Sequence, residues 1–244
     1  MLSAILYPRY SVLIIAVALF AATSCQQNSH INAAKAKSNT PAVTAPANAE
    51  QADTSSDDAP LAHFKHEAFN EDIDDLPPAI AQFVPGGYTA IDTATGDLNL
   101  DSWPDMILVL KKNGEDTTSD VSEHPEKRPL LILTGKADNT WQIAARNDNV
   151  VLCIDCGGAM GDPFMKVVIK NGYFSIEHYG GSAWRWGRVT TFRYAPADAY
   201  WYLYKEGSES FHATTDPNKV TTTIKTTKDF GKVRFDEYDT YKED

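Results

Sequence analysis

Residues 165–170 and 173–179 are two runs of strand length separated only by Asn171-Gly172. A two-residue hairpin turn of type I′ needs positive φ at both central positions, and Asn followed by Gly is the strongest short signal for it. Further runs of strand length fall at residues 105–110, 129–134, 140–145, 149–153, 183–194, 198–205, 220–227 and 232–238, joined by Gly, Asn and Asp turns. No repeat period relates them, which argues against a full propeller or solenoid. The expected fold is all-β: a single antiparallel β-sandwich-like domain over residues 62–240, with a partial propeller-like stack as the alternative. One short helix precedes the strands. In residues 76–84 the prolines suit a first helical turn, Ile80, Phe83 and Val84 form one apolar stripe, and Pro85-Gly86-Gly87 ends the run. Residues 113–127 read as a charged loop with no core signal.

The front of the chain carries a different pattern. Arg9 is the single charge of the first ten residues, and residues 12–22 are then apolar. That run is too short for a spanning helix of about 20 residues, and with the small residues after it reads as a secretory signal over residues 1–24. Ala22-Thr23-Ser24-Cys25 resembles a bacterial lipobox, with Ala22 where Leu is usual. The resemblance implies that Cys25 is lipidated and anchors the chain to a membrane. Ordinary cleavage after Ser24, giving a secreted or periplasmic protein, and an uncleaved anchor are the alternatives. Gln26 stands where Asp marks inner-membrane retention, which implies the outer membrane. Residues 25–61 are rich in Ala, Ser, Thr, Asn, Gln and Pro, the composition of a flexible tether, with a reach of roughly 30 Å. A formal net charge of −11 leaves no concentrated basic surface for phosphates, so nucleic acid is not an expected partner.

Between Gly96 and the apolar run at 106–110, oxygen side chains fall at Asp97, Asn99, Asp101 and Asp105. Hard cations such as Ca²⁺ take six to eight oxygens, and a tight loop supplies them from alternate positions. An EF-hand needs a bidentate Glu at the twelfth position, which here is Leu108, and a helix where a strand is expected. The spacing instead resembles the calcium loops of FG-GAP repeats. That resemblance implies Ca²⁺ bound by the side chains of Asp97, Asn99, Asp101 and Asp105 and by the carbonyl of Trp103. Ser102 departs from the Gly usual there, and φ > 0 is costly for Ser. An Asx-rich turn in which carboxylates cap amides is the competing reading. Over about residues 85–194 the chain is also similar to a family of exported bacterial proteins, through Gly96–Asn99, Asn147–Val151, Gly161–Phe164 and Gly180–Trp186. This resemblance supports the fold unit and implies no activity.

Cys153 and Cys156 are an even pair in an exported chain, and a local disulfide is expected. A redox role would need a helix after the motif and zinc a second ligand pair, and the sequence shows neither. His63 and His66 lie three apart without a third ligand and read as a solvated polar segment.

Trp184, Arg185, Trp186 and Arg188 form a possible ligand patch for an envelope protein or glycan. Trp184 and Trp186 share a parity with Phe192 and Tyr194, which favours burial of both rings with Arg185 on the opposite face. Tyr200, Tyr202 and Tyr204 alternate with Trp201 and Leu203, so one of those faces is expected to be exposed. No G-x-S-x-G, H-E-x-x-H or P-loop is present. The expectation is a lipid-anchored binding or structural module of the cell envelope, stabilised by Ca²⁺. The alternative is a carboxylate-dependent hydrolase acting on polysaccharide.

Overall fold

The computed structural model describes residues 72–214 and 219–242. The expected signal, the lipid attachment at Cys25, the tether and the pair His63/His66 lie outside the described residues. No helix among the described residues is long and apolar enough to cross a membrane.

Among the described residues nine strands form two antiparallel meanders. The first sheet runs β1 (Tyr88–Gly96), β2 (Asp105–Lys112), β3 (Arg128–Gly135) and β4 (Trp141–Val151). The second runs β5 (Phe164–Lys170), β6 (Tyr173–Gly181), β7 (Trp184–Ala195), β8 (Tyr200–His212) and β9 (Thr221–Thr226). The sandwich is therefore present, and Asn171 (φ 41°) and Gly172 (φ 80°) make the expected turn between β5 and β6.

Alternation explains the layers. Ile107, Val109, Leu130 and Ile132 point to the second sheet and meet Phe174, Ile176, Phe192 and Leu203 in the main core. Leu108, Leu110, Leu131 and Leu133, of the opposite parity, point away from it. The helix α1 (Pro78–Ala81) covers that outer face with Ile80, and Phe83 and Val84 just beyond it pack against the same cluster. β2 and β3 are thus buried on both faces, which is why they read as continuous apolar runs.

Four local expectations need correction. β1 was not expected, because its single large apolar residue of the core, Ile91, sits at a bulge and breaks the alternation. Residues 140–145 and 149–153 are largely one strand, β4, whose polar middle continues the pairing with β3. Residues 232–238 are not a strand. They pass beside β8, form a 3-10 turn at Phe235–Glu237 and push Phe235 and Tyr238 into the main core. Residues 113–127 hold a short helix α2 (Glu115–Thr118) with a buried anchor. Glu115 pairs with Arg128 (2.5 Å), which also binds Asp162 (2.7 Å), and the Arg128 side chain is fully buried.

Candidate functional site

The bulge in β8 is what builds the site. Phe192 pairs with Leu203 but Thr191 pairs with Lys205, leaving Tyr204 as the extra residue. One extra residue reverses the alternation. Leu203 faces the core before the bulge, and Glu206, Ser208 and Ser210 face the same side after it. They stand opposite Thr190, Arg188 and Trp186 of β7 and Lys225, Thr223 and Thr221 of β9.

β7 and β8 outrun the first sheet. Along the inner side of β7, Phe192 and Thr190 are buried, Arg188 and Trp186 half-buried, and Trp184 65% exposed. The sequence parity is therefore right about the face and wrong about burial: nothing of the first sheet covers this end. A cavity of about 380 Å³ lies there, floored by Arg188, Glu206, Ser208, Thr223 and Lys225 and walled by Tyr238, Thr240, Tyr241 and Lys242. A second of about 210 Å³ shares Arg188, Ser208 and Thr223 and continues to Trp186, Ser210 and Thr221. Trp184 extends the line beyond, its ring edge-on to His212 at 5.3 Å.

Each wall has a local cause. Asn147 Nδ2 donates to the carbonyls of Phe235 and Tyr238, and Thr240 N–H donates to Asn149 O at 2.9 Å, tying the C-terminal segment to β4. The Tyr241 hydroxyl donates to Val151 O at 3.1 Å, and Lys127 lies over its ring at 3.1 Å. Tyr238 donates its hydroxyl to Glu206; burial first, then that carboxylate, pushes its pKa up to about 12. Trp186 lies against Gly180, where a Cβ would meet the indole at 2.6 Å. Gly181 N–H donates to Gly157 O at 2.9 Å, and Arg185 donates to Met160 Sδ. The loop after β4 therefore buttresses the tryptophan end. In that loop the sulfurs of Cys153 and Cys156 stand at disulfide distance, 2.02 Å. Arg185 is not among the groove walls.

Beneath the groove, His178 pairs in register with Arg188 and accepts the Leu152 N–H at Nε2 (3.2 Å). Burial, reinforced by the charges of Arg188 and Arg128, pulls its pKa down to about 3, so the ring is neutral with its proton on Nδ1.

The Asp97 loop lies elsewhere, between the sheets. Asp105 is buried and accepts from Leu98 N–H (2.8 Å), Asn99 N–H (3.2 Å) and Gly135 N–H (3.1 Å). Burial pushes its carboxyl up against the pull of those amides. Asp101 accepts from Trp103 N–H (2.8 Å) and Asn99 Nδ2 (2.8 Å), and Asp97 from Ser102 N–H (3.1 Å). Ser102 adopts φ 69°, the left-handed conformation for which Gly is usual. Asp97 Oδ1 is buried without a hydrogen-bond partner. Among the described residues no three His, Cys, Asp or Glu side chains are grouped to hold a metal ion. The loop also joins the sheets: Trp201 Nε1 donates to Leu98 O (3.0 Å) and Gly172 N–H to Asp97 O (2.8 Å).

On the outer face of the second sheet, Tyr173 and Tyr204 meet edge-on at 5.3 Å with Arg193 over both rings. Trp201 and Leu203 are buried, whereas Tyr200, Tyr202 and Tyr204 are half-buried. The groove residues that sequence reasoning missed are Ser208, Ser210, Thr221 and Thr223, hidden by the bulge, and the C-terminal wall. Comparison with known protein families, with curated proteins and with solved structures found no match for this chain.

Proposed function

We propose that the chain is a lipid-anchored module of the bacterial cell envelope that binds a glycan in the groove of β7, β8 and β9. The observation that carries this reading is the pairing of Trp184 and Trp186 on one face with a floor of hydroxyls from Ser208, Ser210, Thr221 and Thr223. Aromatic rings offer flat apolar faces to sugar C–H groups, while neighbouring hydroxyls exchange hydrogen bonds with sugar hydroxyls. Anchorage through Cys25 at the outer membrane belongs to the same reading and is supported by the sequence of the first residues. A hydrolase finds less support. Glu206 and Glu209 border the groove, but an odd spacing of three on one strand turns them to opposite faces. Binding of oligosaccharide arrays by the full chain tests the proposal: Trp184→Ala with Trp186→Ala should abolish retention. Retention unchanged in that double variant contradicts it.

We also propose Ca²⁺ as an addition to the Asp97 loop and not as its builder. Its ligands would be the side chains of Asp97, Asn99, Asp101 and Asp105 with the Trp103 carbonyl, in line with the FG-GAP resemblance. The unpartnered Asp97 Oδ1 supports it, while the amide capping of Asp105 and Asp101 holds the loop without a metal. At a concentration ten-fold above Kd the gain is about 1.4 kcal/mol. Calcium titration should raise Tm by a few degrees, and Asp97→Asn should remove that increment. No heat of binding and no Tm shift would sink it.

A further inference from the structure

We infer that the groove is built for an acidic saccharide, whose carboxylate is held by Arg188; this rests on the glycan reading above. Arg188 is half-buried at the junction of the two cavities. Its Nη1 donates to Thr240 Oγ1 (2.9 Å) and reaches Thr240 O (3.4 Å), which fixes the guanidinium without neutralising it. Among the described residues Arg185, Arg188 and Arg193 form no ion pair, whereas Arg128, Arg146 and Arg234 each do.

Of the three without an ion pair, Arg188 is the one that lines both cavities of the groove. The acidic groups at the groove do not pair with it. Glu206 lines the same cavity but accepts the Tyr238 hydroxyl and stands in register with Lys225, and Glu209 has the opposite parity. Lys225 and Lys242 line the same cavity, Lys225 in register with Glu206 and Lys242 with its ammonium 4.0 Å from Asp239. His178, beneath Arg188, is neutral and supplies no counter-charge.

The chemistry that fits is a planar anion presented beside a sugar ring. A guanidinium fork takes a carboxylate through two parallel N–H···O bonds, and a charge-assisted pair in a partly dry site is stronger than a neutral one. Trp186, next on the same face of β7, would take the ring that carries that carboxylate or its neighbour. The hydroxyls of Ser208 and Thr223 lie between the two and suit the sugar hydroxyls.

The test uses the full chain and a matched pair of probes: uronic-acid oligosaccharides and their methyl esters, titrated calorimetrically. The acid should bind at least about ten-fold more tightly than the ester, and rising salt should weaken the acid alone. Arg188→Gln should erase the preference for the acid over the ester. Lys225→Gln, which leaves the Thr240 contact untouched, should reduce the preference in part. Equal binding of acid and ester, or a preference that survives Arg188→Gln, overturns the acidic-ligand inference alone. Binding of neither probe overturns it together with the glycan reading.

Discussion

Trp186 can lie against Gly180, its partner across β6 and β7, because the glycine carries no Cβ. Gly180→Ala should therefore displace the indole and weaken the proposed glycan binding by about ten-fold, at a stability loss of about 1–3 kcal/mol. Calorimetric titration beside a urea melt separates the two effects. His178 makes a second residue-scale prediction. Its folded pKa of about 3 lies below the ordinary value of 6.5, so the unfolded chain binds the extra proton between those limits. Stability should then fall as pH drops through that window, by at most about 1.4 kcal/mol per pH unit. Asp92 and Asp105, which burial holds above the usual carboxylate range, oppose the trend near its lower end, since their contribution weakens as pH rises. Urea melts across this range should show a flatter profile for His178→Gln. Parity assigned Trp184 and Trp186 to the correct face, but no local pattern says where a facing sheet ends. Coverage is a property of two elements, and it decided the site.

At the scale of elements, the sequence showed strands wherever apolar residues were dense and missed those held by pairing alone. β2 and β3 were plain because both faces are buried. β1 was not, because a bulge at Ile91 interrupts its alternation, and Asp92 points inward to accept Val167 N–H of β5 at 2.6 Å. The segment 232–238 has the composition of a strand but fills the space beside β4 and β8. The loop 113–127 looked featureless because its anchor is ionic. Glu115, Arg128 and Asp162 tie that loop and the Cys153–Cys156 loop to the end of β3, with Asp155 accepting Ser119 Oγ (2.7 Å) and Val121 N–H (2.6 Å). Removing one member leaves Arg128 buried with half its partners. Glu115→Ala should cost about 3 kcal/mol in a urea melt, and a loss under about 0.5 kcal/mol would show that the pair is dispensable.

The two ends of the sandwich differ. The Asp97 loop clamps one end through Trp201 and the β5–β6 turn, using its own amides, so chelation should leave the fold standing. The other end is open, because the second sheet runs past the first and the C-terminal segment closes only one side. Expectations of fold class, hairpin and clamp came from residues near one another in sequence. The groove depends on Thr240, Tyr241 and Lys242 meeting β7 and β9, and no spacing reveals that. Chemical-shift mapping of the full chain with a uronic-acid oligosaccharide tests whether the groove of β7, β8 and β9 takes such a ligand. The indole N–H signals of Trp184 and Trp186 should move together with the amides of Ser208 and Thr223, while those of Trp141 and Trp201 stay still. Shifts confined to the outer tyrosine face at Tyr173 and Tyr204, or no shifts at all, would contradict it.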